Sequence, residues 1–140
     1  NGSDTHMKEL QQDVYNFLKD RGWDQLKPAD LAKSLIIEGA ELLELFQWND
    51  DTLEEVKKDG ERVEEIAKEL ADVAIYVFEI ASLLDIDTER VVREKLEKIK
   101  KKYPAELFKA DNNRPGSGLY WKVKNEHRKN SWGSPEDKGE

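Results

Sequence analysis

Apolar residues recur along most of the chain at the three- and four-residue spacing of amphipathic helices. Pro28 suits the first turn of a helix, and Thr52 with Glu55 has the form of a capping box. The predicted helices cover about residues 8–20, 28–48, 52–60, 61–84 and 88–102. The pattern therefore predicts an all-α fold: a four-helix-bundle core with a short extra helix between its second and third members.

The same pattern divides the chain into three parts. Residues 1–7 (NGSDTHM) are interpreted as the remnant of an expression tag, with Met7 as the native start. Residues 8–109 are predicted to form one helical domain. Residues 110–140 are polar without a sustained period, and we expect a flexible tail in which Tyr120 and Trp121 could dock onto the domain.

The second half of the third long helix, Val73 to Leu84, is apolar nearly all round. Three neighbouring helices in a domain of this size cover only part of such a surface. An exposed remainder would mark an interface, and a closed two-fold pair is the commonest way to bury it. We therefore expect a homodimer, or a dimer of dimers that forms a homotetramer.

Composition excludes several classes of function. The chain has no cysteine and only two histidines, so disulfides, thiolate metal sites and histidine-based catalysis have little or no material. The net charge of −8 argues against nucleic acid as a partner. No segment has the length and apolarity of a membrane span or the pattern of a signal peptide. By elimination, we expect a cytoplasmic protein.

Two pairs of carboxylates interrupt the apolar runs. Glu38 and Glu41 lie three residues apart in the second helix, and Glu69 and Asp72 do so in the third. Residues at this spacing share one side of a helix, where like charges repel and desolvation is costly. Oxygen ligands of this kind favour a hard divalent cation, with Mg²⁺ the usual choice. The alternative is a pair of ordinary solvated faces.

The neighbours of these pairs favour the metal site. Gly39 and Ala40 are small enough for another helix to approach, and no charge follows Asp72 until Glu79. Glu79 could extend the acidic face, but an ion pair with a lysine of a neighbouring helix is the favoured interpretation. Trp23, in the first connection, would either cover the core or provide a stacking surface for a base.

These residues resemble a known family. Glu38-x-x-Glu41 with Phe46-Gln47-Trp48, then Glu69 to Tyr76 (ELADVAIY), then Lys95 and Tyr103-Pro104 look like the MazG-like all-α nucleoside triphosphate pyrophosphohydrolases. The resemblance covers roughly residues 14–107 and is strongest to the branch that contains the dCTP pyrophosphatases.

The resemblance implies hydrolysis of a (deoxy)nucleoside triphosphate between its α and β phosphates, which yields a monophosphate and pyrophosphate. It implies Mg²⁺, with Mn²⁺ as a substitute, and a nucleotide-sanitising role on a dCTP-like or modified dNTP. It also implies roles for individual residues: metal ligands at Glu38, Glu41, Glu69 and Asp72; base and sugar contacts at Trp23, Trp48 and Tyr76; phosphate contacts at Lys95, with Lys98 and Lys102 as further candidates.

One position departs from the family pattern, because Ile99 stands where relatives often have asparagine four residues before Tyr-Pro. Lys98 or Lys102 would then supply the missing phosphate contact. Two other functions stay open: a non-catalytic acidic dimer that binds a basic partner, and a phosphoribosyl-ATP pyrophosphatase. Which carboxylate orients the attacking water is also open, with Glu41 one candidate.

Overall fold

The computed structural model describes residues 2–109 and 116–131. Parts of the predicted flexible tail, at 110–115 and from residue 132 on, lie outside the described residues. Helices and turns make up the described part, which contains no strand, so the all-α prediction is confirmed there. The helices are α1 (Gly2–Asp20), α2 (Pro28–Glu44), α3 (Leu53–Lys58), α4 (Gly60–Leu83), α5 (Thr88–Lys102), α6 (Ala105–Phe108) and α7 (Gly118–Ser131).

The chain divides into two compact units, residues 1–89 and 90–140. In the first unit, α4 is the central element: it packs most extensively on α2, then on α1, and α3 contacts it as well. Leu18, Leu31 and Ala81 are the buried apolar side chains of the described residues. Since α5 lies mostly in the second unit, a four-helix core remains a prediction, as does the domain boundary at residue 109.

Local chemistry explains where the helices of the first unit begin and end. Gly22 has a φ of 69°, and the Trp23 N–H donates to Leu18 O at 2.8 Å, which closes the end of α1. The predicted capping box is present: Thr52 accepts from the Glu55 N–H, and the Thr52 N–H donates to the Glu55 carboxylate. Tight caps at both places fix the chain's direction before the next helix.

Two helix ends differ from the prediction. Helix α1 begins at Gly2 rather than Lys8, since no proline precedes Lys8 to stop it. Helix α2 ends at Glu44 rather than Trp48. There the Leu45, Phe46 and Gln47 N–H groups each donate to the carbonyl three residues back, so the chain tightens into turns.

Arg62 of α4 holds these turns in place. Its guanidinium pairs with Asp51 and donates to Asn49 Oδ1 at 2.7 Å. It also lies 5.0 Å from the centre of the Phe46 ring, a cation–π contact. The segment that carries Trp48 is thereby fixed to α4.

In the second unit, the tail forms a helix that the sequence did not predict. Tyr120 of α7 stacks on Tyr103 with ring centres 5.4 Å apart, and Phe108 meets Tyr103 edge-on at 5.6 Å. Aromatic contacts of this kind stabilise a helix whose own polar sequence has no apolar stripe. Tyr120 therefore contacts Tyr103 within the second unit, and its docking onto the rest of the predicted domain stays a prediction. Across the described residues, no helix combines the length and apolarity needed to cross a membrane.

Gln11 joins α1 to the loop before α5. Its side-chain amide donates to Ile86 O at 2.7 Å and accepts from the Thr88 N–H at 3.1 Å. Gln11→Ala should lower the free energy of unfolding by about 1–3 kcal/mol, because it leaves part-buried backbone groups without partners. Urea unfolding measures this. Gln12→Ala is the matched control, since the Gln12 side chain is exposed and donates a hydrogen bond to Asn16 of the same helix. Equal losses in both variants would contradict the assignment.

Candidate active site

Helices α2 and α4 bring three carboxylates together. One oxygen each of Glu38, Glu41 and Glu69 lies within 4.8 Å of the other two, although the two pairs are some thirty residues apart in sequence. The fourth predicted ligand, Asp72, is not in this set, but it lines the same cavity as Glu38. The packing of α2 against α4 therefore joins the two acidic pairs into one cluster.

Two oxygens of this cluster are buried without a hydrogen-bond partner. Glu38 Oε2 and Glu69 Oε2 are inaccessible to water, and no amide, hydroxyl or cation among the described residues donates to them. Leaving buried carboxylate oxygens unpaired is costly. The donor set consists only of hard oxygen atoms, which is the set that Mg²⁺ or Mn²⁺ prefers. These residues fit a divalent cation.

The crowding of the carboxylates raises pKa values in this cluster. A hydrogen bond to Glu41, followed by burial and by the negative charges of Glu41, Asp72 and Glu69, raises the pKa of Glu38 from 4.5 to about 7. Burial, then the charge of Glu41, raises the pKa of Glu69. Without a cation, the cluster therefore keeps protons that isolated glutamates would lose.

A cavity of about 450 Å³ opens beside the carboxylates. Phe17 and Trp23 line one side of it and meet edge-on, with ring centres 6.1 Å apart. Ile75 and Tyr76 of α4 line another side. Carboxylates and aromatic side chains thus line one cavity, which is large enough for a small ligand.

The predicted base-contacting residues are only partly brought together. Trp23 and Tyr76 line the cavity, whereas Trp48 is 88% exposed in the turns after α2 and is not part of the lining. Lys95, Lys98 and Lys102 lie on α5 in the second unit, where the Lys102 ammonium is 5.3 Å from the centre of the Tyr103 ring. Their phosphate contacts remain predictions.

One interpretation of the sequence is wrong. Glu79 does not pair with a lysine: it is buried in the wall of the cavity, and no ion pair to it occurs among the described residues. Its spacing of three and seven residues from Tyr76 and Asp72, which puts all three on one face, was the available signal. Within the described chain no helix approaches Gly39, where a side chain would meet nothing within 4 Å, so the predicted close approach stays a prediction for a second copy of the chain.

Residues 33–113 match the MazG-like family. The chain is 35% identical to rat dCTP pyrophosphatase 1 over 94 residues, which are 65% of this chain and 55% of that protein. It is 34% identical to the human dCTP pyrophosphatase 1 over 100 residues, 69% of this chain and 58% of that protein. The chain thus spans little more than half the length of these relatives.

A solved structure is similar over nearly its whole length. The crystal structure of a pyrophosphatase from Archaeoglobus fulgidus DSM 4304 superposes with a TM-score of 0.61 and 40% sequence identity. The match covers 71% of this chain and 93% of that one.

The raised pKa values predict how the metal-free protein responds to pH. Glu38 ionises near 4.5 when unfolded and near 7 when folded, so the folded state holds the extra proton between these values. Stability should therefore fall as pH rises from about 4.5 to about 7. Urea unfolding in EDTA across this window measures the slope. Glu38→Gln should flatten it, leaving the contributions of Glu69 and Glu79.

The control for this measurement is Glu44→Gln, which alters an exposed glutamate on the same helix. It should keep the wild-type slope. A slope that Glu38→Gln leaves unchanged would contradict the proposed crowding.

Proposed function

Because this chain belongs to the MazG-like family, we propose that it is a divalent-metal-dependent nucleoside triphosphate pyrophosphohydrolase. It cuts between the α and β phosphates of a dCTP-like or modified dNTP and releases a monophosphate and pyrophosphate, as a nucleotide-sanitising enzyme of the cytoplasm. The observation that carries this proposal is the three-carboxylate cluster that adjoins the aromatic cavity.

In this proposal, Glu38, Glu41, Glu69 and Asp72 hold Mg²⁺, or Mn²⁺ in its place. The cation supplies neutralisation of the triphosphate charge and activation of a water molecule. The acidic side chains hold the cation in place. Glu41, the exposed member of the cluster, is the candidate to orient the water. The buried, unpaired oxygens of Glu38 and Glu69 argue against an acidic interaction module, which would expose its charges.

The aromatic side chains hold the nucleoside. Trp23, braced edge-on by Phe17, provides a flat face for a base, and Tyr76 adjoins it on α4. Lys95, Lys98 and Lys102 are proposed to neutralise the departing pyrophosphate, by the family resemblance alone. Trp48, which is exposed within one chain, is proposed to complete the pocket of a partner copy.

We also propose that the chain works as a homodimer or homotetramer. Ile36 and Leu43 on α2 are 69% and 70% exposed, and Gly39 with Ala40 lies between them. At 100° per residue this apolar stripe lies opposite Glu38. On α4, Leu70 and Val77 are exposed as well. Apolar surface of this extent is typical of an interface between subunits.

The reaction is tested with a panel of canonical and modified dNTPs, with Mg²⁺ and with EDTA. We expect hydrolysis with Mg²⁺, with dNMP and pyrophosphate as the first products on chromatography. Glu41→Gln and Asp72→Asn should each lower turnover at least about tenfold, or roughly 1.4 kcal/mol of transition-state stabilisation. Orthophosphate as the first product, or full activity in EDTA, would contradict the proposal.

The matched control for the two variants is again Glu44→Gln, which changes an exposed carboxylate one turn beyond the cluster. It should leave turnover unchanged. Near-normal turnover in both Glu41→Gln and Asp72→Asn would contradict the metal site and favour the alternative, in which the acidic pairs are ordinary solvated faces.

Light scattering tests the assembly. Leu43→Glu should shift the protein toward a monomer of 16.3 kDa, because it places a charge within the α2 stripe. Leu53→Glu is the matched control: Leu53 is also 70% exposed, but it lies on α3. A wild-type protein that is a folded, active monomer at micromolar concentration would contradict the dimer.

A further inference from the structure

Glu79 is the buried acidic side chain that the proposed chemistry leaves unused. It is 5% exposed, in the middle of the last three turns of α4. No hydrogen bond or ion pair to its carboxyl group is found among the described residues, and its oxygens are not among the fully buried atoms without a partner, so they open onto the cavity that Glu79 lines. A carboxyl group in this position can take its partner from a ligand that enters the cavity.

The position of Glu79 points to that partner. Asp72, Tyr76 and Glu79 all line the cavity, and their spacing of four and three residues puts them on one face of α4. Seven residues of helix separate Asp72 from Glu79 by about 10 Å along the axis. A ligand whose phosphates lie beside Asp72 could therefore extend past Tyr76 toward Glu79. That span leaves room for a sugar and a base.

The surroundings of Glu79 decide its protonation. Besides Glu79, the ionisable side chains that line the cavity are Asp30, Glu38, Asp72 and Tyr76, and no lysine, arginine or histidine is among the lining residues. Burial raises the pKa of Glu79. A neutral carboxylic acid offers one O–H donor and one carbonyl acceptor side by side. This pair matches the edge of cytosine, whose amino N–H donates and whose neighbouring ring nitrogen accepts.

We propose that Glu79 reads the hydrogen-bonding edge of the nucleobase and so determines which bases the cavity accepts. The proposal rests on the proposed function, since it assumes that the phosphates bind at the carboxylate cluster. Glu79 accepts from the exocyclic amino group of a cytosine-type base and donates to the adjacent ring nitrogen. A base without the amino group leaves the buried carboxyl oxygen unpaired and binds more weakly.

The test measures binding rather than turnover. The probes are the α,β-imido analogue of dCTP, which cannot be cut at that bond, and the same analogue with pyrimidin-2-one as the base, which lacks only the amino group. Both are titrated with Mg²⁺ into the wild-type protein. We expect the wild type to bind the cytosine analogue about ten- to a hundredfold more tightly.

Three variants locate the source of this preference. Glu79→Met keeps the length of the side chain but removes both hydrogen-bonding groups, so it should bind the two analogues equally. Glu79→Gln keeps one donor and one acceptor, so it should retain a preference for the cytosine analogue. Glu64→Met, on the exposed part of the same helix, is the matched control and should behave as the wild type. A Glu79→Met protein that keeps the wild-type preference would overturn the proposal.

Thermal unfolding separates base reading from a structural role. Removing a buried carboxyl group that has no partner should leave Glu79→Met at least as stable as the wild type. If Glu79 instead pairs with a cation of another subunit, Glu79→Met will lose stability and weaken both analogues equally, which would also overturn the proposal.

Hydrolysis of dCTP by the wild type is measured alongside, so that the two proposals fail separately. Base-selective binding that Glu79→Met abolishes, without hydrolysis, would leave Glu79 as the base reader and refute the enzymatic function. Hydrolysis with a base preference that survives Glu79→Met would support the enzymatic function and refute Glu79 as the base reader. A wild type that binds both analogues equally would refute the role of Glu79 directly.

Discussion

The constraint on which this structure depends is the crowding of carboxylates between α2 and α4. These two helices make the most extensive contact in the first unit, and that contact pushes Glu38, Glu41 and Glu69 together. Repulsion within the cluster opposes the packing that forms it, so protons or a cation must offset the charge. The raised pKa of Glu38 shows the first of these solutions. A divalent cation is the second, and substrate phosphates would follow it.

Helix α2 would link the carboxylate cluster to the proposed assembly. One side of α2 carries Glu38 and Glu41, and the opposite side carries the exposed Ile36 and Leu43. The first unit has few fully buried apolar side chains of its own, so its interior contributes little to holding α2 rigidly. A partner copy that covered the exposed stripe would support α2 from behind. Assembly would then fix the position of the carboxylates that we propose as metal ligands.

The sequence was sufficient to predict features that depend on residues within one helix. It was not sufficient for features that depend on contacts between residues distant in sequence. The bounds of α4 and α5, the capping box at Thr52 and the acidic pairs all follow from spacing within one helix. The end of α2 was missed because the turns there are shaped by hydrogen bonds that Arg62 donates to Leu45 O and Asn49 Oδ1. Helix α7 was missed because stacking of Tyr120 on Tyr103, rather than an apolar stripe, supports it. The burial of Glu79 likewise depends on neighbours from α1 and α2 that are distant in sequence.

Helix α4 carries residues of both the carboxylate cluster and the cavity wall. It supplies Glu69 and Asp72 to the cluster, Tyr76 to the cavity wall and Glu79 farther along the cavity. Because an α-helix has a fixed rise per residue, the distance between Asp72 and Glu79 cannot vary freely. A base that satisfies Glu79 would therefore also set where the α phosphate lies relative to the carboxylates. Selection of the base and alignment of the reacting phosphate would then follow from the same rigid element.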